Sequence, residues 1–195
     1  MREEFEDEDD IFEMTPALGV VKPLCDLVTE MRWFSTVSEP IDAETRDLAE
    51  RYCEGLGFPD TTPALLGDWE DAAIAAESGD YNSPAWEAEE QMRAYLTEEA
   101  LTQVDPDTLE IVMAHIAATV AEAATLGAEE AANYLRIDDM AFVQAATGAA
   151  VQAVHLAALV LIVGLDEDHP FSIRFHLFER GRWPIGIMGQ SFNIF

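Results

Sequence analysis

DPDTLEIVMAHIAATVAEAATLGAEEAANYLRIDDMAFVQAATGAAVQAVHLAALVLIVG, residues 105–164, reads as two Ala-rich helical segments joined by a polar bend. It sets the architecture of the whole chain. The first segment opens on Asp105-Pro106, an N-cap residue followed by a proline at the first helical position, whose N–H would have no intrahelical partner anyway. Leu109, Val112, Met113, Ile116 and Val120 then recur at spacings of three and four and give one apolar face. Gly127 follows Leu126 where a left-handed cap would sit, so a helix over 106–126 is predicted. The second segment starts at Asp138-Asp139, whose charges suit a helix N-terminus, and runs through Val143, Val151, Val154, Leu156, Leu159 and Leu161 to Gly164. This helix, 139–163, is apolar all the way round.

A helix apolar on every side is either the central core helix of a globular protein or a membrane span. Residues 141–164 are long enough to cross a bilayer, but Gln144, Thr147, Gln152 and His155 interrupt them. Acidic residues flank both ends and no Lys or Arg cluster marks a cytoplasmic side. A buried central helix is expected, and a membrane partner is not. Ala145, Ala146, Gly148, Ala149 and Ala150 would let neighbouring backbones approach it closely.

On the N-terminal side, residues 1–13 carry eight acidic side chains and one Arg and are expected to form a mobile acidic tail. The remaining 14–195 read as a single helical domain. Leu24, Leu27, Val28, Met31 and Phe34 predict a helix from Pro23 to Phe34, with Trp33 packed against the next one. Leu48, Tyr52 and Leu56 share a face of a second helix ended by Gly55 and Gly57. Thr62-Pro63 and Ser83-Pro84 repeat the cap-then-proline device and predict two more starts, and Thr97 to Val104 reads as a short helical turn leading into residue 105. After Gly164 the pattern changes. Phe171, Ile173, Phe175 and Leu177 alternate with Ser172, Arg174, His176 and Phe178, the period of a half-buried strand. A C-terminal β-hairpin over about 171–195 is therefore predicted, with Pro184 confining its second strand to an edge. The fold class is mainly α: six or seven helices around the 139–163 helix, closed on one side by the hairpin.

Composition narrows the function. Ten basic against 39 acidic residues give a net charge of -29, with Lys22 the single lysine. Such a surface repels nucleic acid and anionic membranes. Twenty of the acidic residues and only three Arg fall between Glu39 and Glu110, so the helices there should present a negative outer face. Glu70, Asp71, Glu87, Glu89 and Glu90 are its candidate partner-facing residues. The leading expectation is a non-enzymatic interaction protein for a basic protein partner, of inhibitor, immunity or nucleic-acid-mimicking type. A salt-adapted protein without such a partner is an alternative, and self-association is left open. The C-terminal Arg174, Arg180 and Arg182 form the one net-basic segment, expected to dock on the chain's own acidic helices.

The other alternative is an enzyme, or a small-ligand or metal site, on a polar seam. His115, Thr119 and Glu122 share a face of the first helix, and Gln144, Gln152 and His155 stay within about a quarter turn of one another on the second. In an antiparallel pair His115 would come level with Gln152 and His155 while Glu122 approaches Gln144, giving a metal or acid–base arrangement. The residues lack the Glu-x-x-His repeat of di-iron bundles and the His-Glu-x-x-His of zinc proteases, and no cofactor is expected. The cluster Asp166-Glu167-Asp168-His169 lacks the spacing of a calcium loop. Cys25 and Cys53 have no CxxC spacing and read as buried small hydrophobes. A charge run at Phe5 to Asp10 stands where a signal peptide would need an apolar stretch, so a cytoplasmic location is expected.

Overall fold

The computed structural model describes residues 16–79 and 82–195, and the expected acidic tail over 1–13 lies outside them. Among the described residues, a single helical turn at Pro16–Gly19 precedes seven helices. These are α1 (Lys22–Glu30), α2 (Ala43–Gly55), α3 (Trp69–Glu77), α4 (Pro84–Gln103), α5 (Pro106–Leu135), α6 (Met140–Val163) and α7 (Pro170–Glu179). Strand β1 (Thr62–Leu65) lies between α2 and α3, and β2 (Pro184–Met188) and β3 (Ser191–Ile194) follow α7. The protein is mainly α with short C-terminal strands, as the sequence predicts.

Caps fix most helix starts. Asp105 accepts from the Thr108 N–H (3.0 Å), Ser83 from Trp86 (3.2 Å), Asp42 from Thr45 (2.7 Å) and Asp139 from Ala141 (2.9 Å). Each satisfies a donor that the first helical turn leaves without an intrahelical partner. Helix α6 is the centre, with Phe142, Ala146, Ala150, Val154, Ala158 and Val160 fully buried. Helix α5 runs along it as its most extensive neighbour, and α4 and α7 cover its other sides. By length and composition α5 and α6 would each span a bilayer; in the fold, more than half of the most apolar window of α6 is covered by protein.

Five segments differ from expectation. Helix α5 continues through Gly127 to Leu135 and is capped by Arg136 in the left-handed conformation (φ 59°). Gly127 is there for proximity instead: a Cβ would lie 3.0 Å from the Trp33 carbonyl oxygen and 2.5 Å from the Trp33 Cβ. Trp33 is buried, as expected, but it lies in the turn after α1, which ends at Glu30. Residues 97–103 are the last turns of α4, with no break. Thr62-Pro63 starts β1, and α3 begins later, capped by Asp68, which accepts from Asp71 N–H (2.9 Å).

The fifth difference is the largest. Residues 170–179 are helix α7, so the hairpin spans Pro184–Ile194. The apparent alternation depended on Ser172 and Arg174 facing water, and both are buried along with Phe171, Ile173, Phe175 and Leu177. A segment buried all round has no polar face for a period to reveal. His169-Pro170 is another cap-then-proline start, with the His169 Nδ1 accepting from the Phe171 N–H (3.2 Å). Strand β3 sits in the middle of the sheet, parallel to β1 from Thr62↔Ser191 to Leu65↔Ile194 and antiparallel to β2. Proline is tolerated in β1 and β2 because both are edges.

Two glycine substitutions should act in opposite directions. Gly127→Ala brings its Cβ against the Trp33 backbone and is expected to cost about 1–3 kcal/mol in urea unfolding, despite alanine's better helix propensity. Gly148→Ala, in the interior of α6 with nothing within 4 Å of the new Cβ, is expected to add about 0.5–1 kcal/mol.

Candidate functional site

The acidic face is divided by the fold into carboxylates that face water and carboxylates that hold the molecule together. Glu70 and Asp71 on α3 and Glu87 on α4 are exposed. Glu89 is not a partner-facing residue. It turns inward, where Oε1 accepts from the Tyr52 hydroxyl (2.5 Å) and Oε2 from Arg174 Nη1 (2.7 Å). Positions 87 and 89 lie about 200° apart on a helix, so one of them must point to the protein. Glu90 is half-buried and takes both Nε (2.9 Å) and Nη2 (2.5 Å) of Arg93 on the same helix.

Tyr52 is fully buried, and the Arg174 side chain retains only 9% of its exposure. Burial opposes the charge on Arg174, but Glu89 and the Tyr52 oxygen more than offset it and hold the guanidinium protonated. Burial raises the Tyr52 phenol well above its ordinary range, so it stays a donor to Glu89. One donor of this group is unused: the buried Arg174 Nε–H has no hydrogen-bond partner among the described residues. Beside the pair, a cavity of about 360 Å³ opens between α3, α4, α6 and β2. Ala145 and Ala149 line it, so part of the small-residue stripe on α6 keeps space open.

The other C-terminal cations also dock on their own chain. Arg180 pairs with Asp42 (2.7 Å) and Glu44 (2.7 Å), which helps hold the Asp42 carboxyl at about 2 after its bonds to Thr45. Arg182 donates to the carbonyls of Thr36 (2.5 Å), Glu39 (2.6 Å) and Pro40 (2.8 Å). Asp168 pairs with Arg51, so the acidic run before α7 serves as a tether, while His169 after it caps the helix.

The polar seam takes another form. Glu122 and Gln144 are exposed, while His115 and His155 are half-buried. One polar contact across α5 and α6 is Thr125 Oγ1 to Thr147 Oγ1 (3.2 Å). His155 borders a pocket with Met113, Ala114 and Leu159, and burial together with Arg93 lowers its pKa. Among the described residues, no group of three or more His, Cys, Asp or Glu could hold a metal ion. Both cysteines are free, and burial pushes the Cys53 thiol up to about 12.

The docking of Arg174 on the chain's own acidic helices follows the expectation from sequence, whereas its specific partner Glu89 and that residue's bond to Tyr52 were missed; reading His169-Pro170 like Asp105-Pro106 would have placed Arg174 on a helix. No protein-family model, curated protein or solved structure matches this chain.

Glu89→Gln leaves Arg174 buried without its counter-charge and is expected to cost about 3–5 kcal/mol in denaturant unfolding. Glu87→Gln, two residues away on the exposed side, should stay within about 0.5 kcal/mol of the parent.

Proposed function

We propose that this is a non-enzymatic interaction protein whose acidic helical face engages a basic protein partner, of inhibitor, immunity or nucleic-acid-mimicking type. The observation that carries this reading is the outer stripe of α4. Glu87, Gln91, Ala94, Tyr95 and Glu98 fall on one side of the helix and all are exposed, with Tyr95 at 53%. Tyrosine set among carboxylates is the composition of an interface that recognises cations around an aromatic anchor. Helix α3 presents Glu70 and Asp71 together with Ile74, which is 57% exposed. Arg174, Arg180 and Arg182 are engaged within the fold and leave these carboxylates uncompensated. Association would be fast and salt-sensitive.

A second reading has its own support. Exposed carboxylates also occur on α2 and α5 and in the turns at 138–139 and 166–168. Acidity on so many sides is what adaptation to high salt would produce, with no partner.

Capture from host lysate at low salt, using the parent and Tyr95→Ala, separates the two. A partner should be a basic protein retained at low salt, released at molar KCl and bound about ten-fold or more weakly by Tyr95→Ala. Recovery of no basic protein, with a melting temperature that climbs steeply towards molar KCl, would reject the partner and favour salt adaptation.

A further inference from the structure

We infer that the free edge of β2 takes up an extended basic segment of a protein partner as a fourth strand of the sheet. The inference rests on the reading of a basic partner for the source of that segment, and not on the outer stripe of α4. β3 occupies the middle of the sheet, so β2 is paired on one side only. Register fixes what its other side presents. Trp183 and Phe195 exchange both backbone bonds (2.8 and 2.9 Å), and Met188↔Ser191 closes a two-residue turn at the far end of the hairpin. Antiparallel partners alternate between bonded and non-bonded pairs, which makes Ile187↔Phe192 a non-bonded pair and turns the Ile187 N–H and C=O away from β3. A donor and an acceptor on one outward-facing residue are what an added strand pairs with.

This edge opens on space. All five residues of β2 line the cavity of about 360 Å³. The facing walls are Ala75 and Ala76 of α3, Ala85 of α4, and Ala145 and Ala149 of α6, side chains small enough for a second backbone to run beside β2. The two edges of the sheet are also built differently. β1 carries Pro63 at its second position, a device that blunts an edge, whereas β2 after Pro184 reads Ile-Gly-Ile-Met, with neither charge nor proline.

Charge sets the sign of the segment. Glu89 and Glu90 line the cavity, each bonded to an arginine, Arg174 and Arg93, so these pairs are near balance. The surplus around them is negative. Glu87 and Asp71, one helical turn from Glu90 and from Ala75, are exposed carboxylates in a chain of net charge -29. An acidic strand meets repulsion there and a basic one attraction. Trp86, 40% exposed at the border of the cavity, offers an aromatic surface to the stem and charge of a Lys or Arg side chain.

The test titrates the full chain with three hexapeptides: acetyl-KVKVKV-amide, acetyl-EVEVEV-amide, and the basic peptide N-methylated at every residue, which keeps its charge and loses its strand donors. The Ile187 amide reports on the edge through its chemical shift and its hydrogen exchange, up to millimolar peptide. The basic peptide is expected to shift this amide, slow its exchange at least about ten-fold and bind at least about ten-fold more tightly than the other two. Ile187→Pro, which removes the outward N–H without taking a bond from β3, should weaken binding of the basic peptide about ten-fold or more while the melting temperature stays near the parent's. The N-methylated peptide makes the same comparison on the parent chain if that variant does not fold. Unslowed exchange at Ile187, or equal binding of the N-methylated or the acidic peptide, would overturn the inference. The assay contains no host protein, so its failure is distinct from failure of the partner reading: a protected Ile187 amide with an empty lysate capture supports the strand-accepting edge alone, and a captured basic protein with Ile187 unprotected removes the edge alone.

Discussion

The constraint on which the structure depends is that α6 gives water only a narrow stripe, at Gln144, Gly148 and Gln152. Outside that stripe its side chains from Phe142 to Ile162 are largely interior, so the rest of its circumference must be occupied by protein. Helix α5 takes the longest contact, α4 and α7 take others, and an aromatic group of Trp69, Phe142, Trp183 and Phe195 closes its N-terminal end. The small residues facing α5 let the pair pack along most of their length, with Thr125 and Thr147 satisfying each other between them. Gly127 extends the same logic outward, because only a residue without a side chain lets the Trp33 turn rest on α5.

A second cluster depends on the first but is held differently. Tyr52 and Cys53 of α2, Ile173 and Leu177 of α7, and Phe192 and Ile194 of β3 form a smaller apolar group. At its edge sits the Tyr52–Glu89–Arg174 set, which ties three distant helices through one buried ion pair. A chain with so few cations spends three arginines of its last helical turns and the following turn on internal bonds. Structural cohesion and surface charge are thus linked: each arginine drawn inward leaves the exterior more negative.

What could be read from the sequence is what periodicity and capping report directly. Helix α6 was legible because a long apolar run has few soluble solutions, and Ser83-Pro84 and Asp105-Pro106 marked real starts. Gly127 misled because glycine serves both as a helix terminator and as a point of close approach, and only tertiary packing distinguishes them. Residues 171–178 misled because Ser172 and Arg174 are buried, with Arg174 paired to a residue far away in sequence. The same gap hid the role of Glu89, whose partners Tyr52 and Arg174 are 37 and 85 residues distant. Exposure of Glu70, Asp71 and Glu87 followed from composition alone.

The position of β3 has a consequence for how the molecule is made. It is the middle strand of the sheet, yet it comes after all seven helices and pairs in parallel with β1, whose first residue precedes its own by more than half the chain. During synthesis the helical layer around α6 can assemble as each segment emerges, whereas β1 and β2 have no partner until Ser191 to Ile194 are available. Closure of the sheet, and with it the second apolar cluster, is therefore a late, long-loop event that sets when β1 stops being an unpaired edge.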